Sequence, residues 1–117
     1  MNLIIFGPPG AGKGTQADFI VNKYNLYQLS TGSLLRNEIK NKTDLGKEIA
    51  SIIKAGSLVS DDIVKKLVET FISNQNYKNK IIFDGYPRNL NQAHNLNELL
   101  NKYDQKIDLV LKLSVSL

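Results

Sequence analysis

Three groups of residues in this chain have types and spacings that suit chemistry. The first is Gly7-Pro8-Pro9-Gly10-Ala11-Gly12-Lys13-Gly14-Thr15, a glycine-rich run ending on a lysine and a hydroxyl. Its glycines let the backbone curl round an anion with N–H groups pointing inward. Lys13 adds a full positive charge, and a helix starting there adds the positive end of its dipole. Such a loop holds the phosphates of a nucleoside triphosphate. The usual pattern sets Ser or Thr directly after the lysine. Here Gly14 intervenes and Thr15 follows.

Asp84 is the second group. It ends the apolar run Ile81-Ile82-Phe83. An acid at the end of a buried strand, in a chain with a phosphate loop, can hold Mg²⁺ directly or through water. The same residue can instead cap a turn at Gly85. The third group is Arg36 and Arg88, the two arginines among fifteen basic residues. Lysine is the abundant cation here, so arginine is expected where its planar fork is needed to grip phosphate oxygens bidentately. A lone arginine on a helix reads by default as a surface ion pair. His94, the single histidine, has no partner in the pattern and reads as a surface or packing residue.

These residues need elements to position them. Strand one spans about 2–6, with Leu3-Ile4-Ile5-Phe6 an apolar run suited to a buried parallel strand. A helix over about 13–24 follows the loop, with Ala17, Ile20, Val21 and Tyr24 on one face. Strand, glycine-rich turn and helix in that order give the motif its structural context. Tyr27–Ser30 is a second strand. Two short helices follow, to Lys40 and over about 43–54, and Gly56 suits the C-terminal end of the second. Ser60 is the expected cap of a helix striped with Ile63, Val64, Leu67, Val68, Phe71 and Ile72. Asn74 to Asn79 is a polar loop, and 81–84 the third strand. A helix from about 89 to 102 is expected to bury Leu90, Ala93, Leu96, Leu99 and Leu100. Ile107 to Leu113 is the fourth strand.

Strands alternating with helices imply an α/β fold with a parallel sheet and right-handed crossovers. Three helices between strands two and three are too many for one crossover. Residues 30–59 are therefore expected to form a small helical insertion, with 1–29 and 60–117 as the core unit. The chain has 117 residues, enough for one domain with a real core. It has no cysteine, which excludes disulfides and thiol chemistry and fits a reducing, cytoplasmic setting. No apolar stretch reaches membrane-spanning length, and a core strand at the very start leaves no signal or transit peptide to expect. The net charge of +4 comes from scattered lysines without interleaved aromatics. It reads as solvated surface, with neither nucleic acid nor membrane as partner.

Beyond these readings, the loop with its Lys13-Gly14-Thr15-Gln16 ending resembles that of the nucleoside monophosphate kinases, which include the adenylate kinases. Asp84-Gly85-Tyr86-Pro87-Arg88 is similar to their Asp-Gly-Phe/Tyr-Pro-Arg motif, and Ser30-Thr31-Gly32-Ser33-Leu34-Leu35-Arg36 to their Ser-Thr-Gly-Asp-x-x-Arg segment. The resemblance implies a three-layer P-loop fold with strand order 2-3-1-4 and a cis peptide before Pro87. It implies Mg²⁺-dependent phosphoryl transfer from ATP to AMP, giving two ADP. Gly10, Ala11, Gly12, Lys13, Gly14 and Thr15 would hold ATP. Thr31, Arg36, Ser57, Leu58, Val59, Gly85, Arg88 and Gln92 would hold AMP. Lys13, Arg36 and Arg88 would be the catalytic cations, with Asp84 (through water) and Thr15 at the metal. Thr31 and Gln92 favour adenine over the uracil or cytosine of a UMP/CMP kinase. Ser33 stands where the family usually has Asp.

The resemblance runs from Met1 to Leu117 but covers only part of the family's length. Family members, usually monomeric, continue with an arginine-rich lid, a fifth strand and a final helix. The chain is therefore expected to be a fragment. Strand four would lie at a sheet edge and invite self-association over 107–113. A non-catalytic nucleotide-binding fragment is the rival reading from a different class.

Overall fold

The computed structural model describes residues 1–8 and 10–114. Pro9 of the loop and residues 115–117, assigned above to the core unit, lie outside the described residues. The chain runs β1 (Leu3–Phe6), α1 (Lys13–Tyr24), β2 (Tyr27–Ser30), α2 (Thr31–Lys40), α3 (Asp44–Lys54), α4 (Asp61–Ile72), β3 (Ile81–Asp84), α5 (Leu90–Lys102) and β4 (Leu109–Lys112). A single 3₁₀ turn, Gln75–Tyr77, sits in the expected polar loop. The four strands are parallel in the order β2-β3-β1-β4, as the resemblance implied.

Side-chain alternation builds the layers. Leu3, Ile5 and Ile82 point to one face of the sheet and pack with Ala17 and Leu26 under α1. Ile4, Leu29, Ile81 and Phe83 point to the other and meet Val64, Val68 and Ile72 of α4 and Leu96, Leu99 and Leu100 of α5. The sheet is thus covered on both sides, as a parallel sheet must be.

A third cluster joins Ile49 of α3 to Ile63 and Leu67 of α4, flanked by Leu34, Leu35 and Ile39 of α2. Helix α4 therefore serves two cores with different stripes of one surface. Helices α2 and α3 approach so closely that a Cβ on Gly46 would lie 2.0 Å from the carbonyl oxygen of Glu38. No side chain fits there. The hydroxyl of Thr43 accepts the Gly46 N–H and caps α3. Ser60 caps α4 as expected, accepting from the Ile63 N–H at 3.3 Å.

Expectations of burial fail at Phe6, 36% exposed at the end of β1, at Ala93, only partly buried on α5, and at two further residues. Leu90 is 74% exposed, because α5 buries the stripe Gln92, Leu96, Leu99 and Leu100, and residue 90 is out of phase with it. Tyr24 is half exposed at the last turn of α1, with the Lys23 ammonium 5.6 Å from its ring centre. Strand β4 is shorter than the apolar run suggested and lies at the edge of the sheet. Leu109 and Val110 are about half exposed there.

The N-terminal ends of the strands close with a buried polar knot. The Asn2 amide donates to the Gln105 side chain at 3.1 Å and to the Lys106 carbonyl at 3.0 Å. Its oxygen accepts the Ile81 N–H, and Gln105 in turn donates to the Ile72 carbonyl. Buried amides persist when their donors and acceptors are paired in this way.

Candidate active site

Lys13, Asp84, Gly85 and Arg88 gather at the opposite, C-terminal ends of the strands, while Arg36, Gln92 and residues 57–59 do not line the cavity there. Strand register brings them there: Ser30 pairs with Asp84, and Asp84 with Ile5. The phosphate loop leaves β1, the Asp84–Arg88 turn leaves β3, and Thr31 opens α2 directly after β2. The sheet's connections diverge between β1 and β3, the place where open α/β sheets bind ligands. A cavity of about 580 Å³ lies there, lined by Phe6, Gly7, Lys13, Gly85, Pro87 and Arg88. A larger cleft of about 710 Å³ lies at the other end of the sheet beside Asn79 and Lys106. None of the motif residues lines it, so the chemistry belongs to the smaller one.

In the loop, Gly10 and Gly12 have φ of 86° and 77°. Gly12 is the left-handed residue from which α1 starts, and its carbonyl accepts the Gln16 N–H at 3.0 Å. No side chain caps this helix start. Its first N–H groups are left for an anion. Thr15 is exposed in the first turn, as are Gly10 and Gly14, with Ala11 partly so.

Lys13 forms an ion pair with Asp84 Oδ1. The other carboxylate oxygen, Oδ2, accepts from the Gln28 amide at 2.9 Å. Asp84, at the end of β3, is thus held from α1 and from β2, and its side chain is only 12% exposed. The Asp84 carboxylate and the Thr15 hydroxyl are hard oxygen donors of the kind Mg²⁺ takes. No group of three or more His, Cys, Asp or Glu side chains converges among the described residues. Mg²⁺ keeps waters and phosphate oxygens in its shell and is commonly bound through one or two carboxylates.

The cis peptide at Tyr86-Pro87 is present. Arg88 folds back so that its Nε donates to the Gly85 carbonyl at 2.7 Å. Gly85 has φ 75°, and a Cβ there would meet the guanidinium at 3.2 Å. Both facts call for glycine. Arg36 lies exposed on α2, where its Nη2 donates to the Ser33 hydroxyl at 3.2 Å. Gly56, with φ 78°, ends α3, and the Ser57 N–H bonds the Ile52 carbonyl at 3.1 Å. Leu58 is 95% exposed while Val59 packs inward. Thr31 is half-buried at the start of α2, and His94 is exposed on α5.

Gln92 is 9% exposed. Its oxygen accepts the Arg88 N–H at 2.8 Å, and its nitrogen donates to Asp61 Oδ1 at 2.8 Å. Asp61 Oδ2 accepts from Asn91 at 2.9 Å. Hydrogen bonds from Asn91 and then Gln92 hold the Asp61 carboxyl below its ordinary 3.8. Burial pushes the Tyr86 phenol up to about 12, with the Asp61 charge adding to it. Sequence reasoning missed both Gln28 and Asp61. Gln28 was legible in principle, since two-residue alternation places it on the same side of β2 as Ser30, opposite Asp84. Asp61 reads only as a first-turn acid favoured by the helix dipole.

The fold and this site define a P-loop α/β protein in which Arg88 lines the same cavity as the loop lysine. A family model described as adenylate kinase matches residues 5–117. The chain is 57% identical over 116 residues to an adenylate kinase of Pelagibacter ubique, covering 99% of this chain and 54% of that protein. It is 47% identical over 116 residues to one from Mycoplasma mycoides, with the same coverage. It is 43% identical over 115 residues to one from Bartonella henselae, covering 98% of this chain and 60% of the relative. The chain belongs to the adenylate kinase family. It spans about half the length of the curated relatives it matches.

Proposed function

We propose that the protein of which this chain forms the described part transfers a phosphoryl group reversibly from ATP to AMP, giving two ADP. The observation that carries this reading is that Lys13 and Arg88 line one cavity, with Asp84 ion-paired to Lys13 and α2, the helix that carries Arg36, starting after Ser30, the register partner of Asp84. A loop for one phosphate chain and two arginines for another make a site for two nucleotides. A simple nucleotide switch has no use for the second.

In this reading the loop amides from Gly10 to Thr15 and the Lys13 ammonium hold the ATP phosphates. Lys13 leaves the Asp84 carboxylate for the phosphates when they arrive. Asp84, through water, and Thr15 would hold Mg²⁺, which would supply positive charge to the phosphate oxygens. Arg36 and Arg88 clamp the AMP phosphate by bidentate bonds. Adenine lies against Thr31, the 57–59 backbone, Gly85 and the Gln92 amide. Residues 30–59 are the acceptor-binding unit and the remainder is the core. Transfer needs positioning and charge more than proton chemistry, so the exposed His94 has no role in it.

No helix of the described residues is long and apolar enough to cross a membrane. The cytoplasm, as source of ATP and AMP, is the proposed setting.

Coupled-enzyme turnover of ATP plus AMP, with Lys13→Ala as control, tests the proposal. Turnover that the substitution reduces by about a hundredfold or more is expected, by analogy with the loss of one transition-state donor. Turnover indifferent to Lys13, or faster with UMP or CMP than with AMP, overturns it. AMP binding that Arg88→Ala weakens, without turnover by the 117 residues alone, assigns the missing charge to the rest of the relatives' length.

A further inference from the structure

Gln92 is a buried amide gripped from two sides by groups of opposite kind. The Arg88 N–H can only donate, so it requires the Gln92 oxygen. The Asp61 carboxylate, when ionised, can only accept, so it requires the Gln92 nitrogen. Asp61 is itself steadied by the Asn91 amide, and its depressed pKa keeps it an acceptor at neutral pH. The backbone of Gln92 is fixed as well, because its N–H donates to the Asn89 side chain at 2.8 Å. The amide plane therefore has one orientation. Its two protein bonds leave it one donor and one acceptor unspent.

We infer that Asp61 sharpens base specificity by fixing, together with the Arg88 N–H, which end of the Gln92 amide donates and which accepts. The inference rests on the proposal above that Gln92 meets the base of the acceptor nucleotide. An adenine edge presents an amino group and a bare ring nitrogen. A hypoxanthine edge, of the same shape, presents a carbonyl oxygen and a ring N–H. An amide free to flip serves either edge equally. An amide pinned by Asp61 serves adenine and sets donor against donor with hypoxanthine. Asp61 is a positioning residue: it acts through Gln92 and need not touch the ligand.

AMP and IMP titrated calorimetrically into the protein and three variants test this. Asp61→Ala and the near-isosteric Asp61→Leu both remove the acceptor, and circular dichroism identifies which is folded. Asp61→Asn keeps one oxygen for the Gln92 nitrogen. Expected is a fall of about tenfold in the preference for AMP over IMP when the acceptor is lost, the size of one hydrogen bond to a charged group. Asp61→Asn should retain most of the preference. If loss of the acceptor weakens both nucleotides equally, Asp61 is merely structural and the inference is overturned. A fourth variant, Gln92→Ala, separates the two levels. If it abolishes the preference while Asp61→Ala and Asp61→Leu leave it intact, base reading by Gln92 stands and the role of Asp61 falls. If Gln92→Ala leaves the preference unchanged, base reading by Gln92 falls, and the inference with it.

Discussion

The ammonium of Lys13 rests on the carboxylate of Asp84, joining the first turn of α1 to the end of β3. The Gln28 amide holds the same carboxylate from β2. The residue expected to meet phosphate thus has a partner waiting for it. Asp84→Asn should leave the fold intact by circular dichroism while lowering turnover by about two to three orders of magnitude. AMP binding, measured separately, should change little, because the substitution keeps the side chain's shape and leaves the Arg88 Nε bond to the Gly85 carbonyl in place. A variant with normal turnover would remove Asp84 from the mechanism.

Arg88→Lys keeps the charge and loses the fork. The Arg88 Nε bond to the Gly85 carbonyl aims the guanidinium over the turn, and an ammonium cannot take both roles. AMP affinity should fall about ten- to a hundredfold, the range of one or two charge-assisted bonds. Calorimetry with AMP reads this directly. An unchanged affinity would place the phosphate elsewhere.

Gly46→Ala tests the seam between α2 and α3. The added methyl would fall 2.0 Å from the Glu38 carbonyl oxygen. Backbone cannot yield as a side chain tip does, so the helices must part. A loss of about 1–3 kcal/mol in unfolding free energy is expected. AMP binding should weaken while ATP binding holds, if 30–59 is the acceptor unit. Equal weakening of both nucleotides would dissolve that division.

Glu69 sets an acid limit. Hydrogen bonds from Lys102 and then Tyr103 hold its carboxyl below the ordinary 4.5, tying α4 to α5. A folded-state pKa below the unfolded one contributes stability above the unfolded value. That contribution disappears as pH falls through the folded value. The melting temperature should therefore fall less steeply on acidification below about pH 4.5 in Glu69→Gln than in the parent. Parallel profiles would show that this surface cluster contributes nothing, as exposed pairs often do.

The edge of β4 offers a further check. Leu109 and Val110 are exposed beside backbone groups with no strand partner among the described residues. The 117-residue chain should sediment as larger species with rising concentration. Val110→Lys should reduce this, since a charge blunts an edge strand. A chain that stays monomeric at all concentrations would contradict the expected association.

Much of this was legible because local signals agreed with one another. Leu3 to Phe6, the glycine loop and the stripe of α1 can only be strand, turn and helix. Ile81 to Asp84 announces a buried strand ending on an acid. The illegible parts depend on contacts between segments far apart in the chain. Gly46 looks like a weak point in a helix until Glu38 is seen against it. Leu90 looks like core until the phase of α5 is fixed by Leu96 and Leu99. Asp61 and Gln92 are thirty-one positions apart, and nothing in either neighbourhood points to the other. The hydroxyl of Ser33 against Arg36 is likewise a fact of one helix turn whose effect on phosphate binding no pattern predicts.

Helix α4 presents Ile63 and Leu67 to α2 and α3, and Val64, Val68 and Ile72 to the sheet. The side-chain hydrogen bonds of α2 and α3 among the described residues stay within that pair. The joint to α4 is therefore an apolar one. Apolar surfaces slide with little directional penalty, whereas a hydrogen-bonded seam must break bonds to turn. The hold of α4 on the two helices therefore rests on apolar burial rather than on side-chain hydrogen bonds among the described residues.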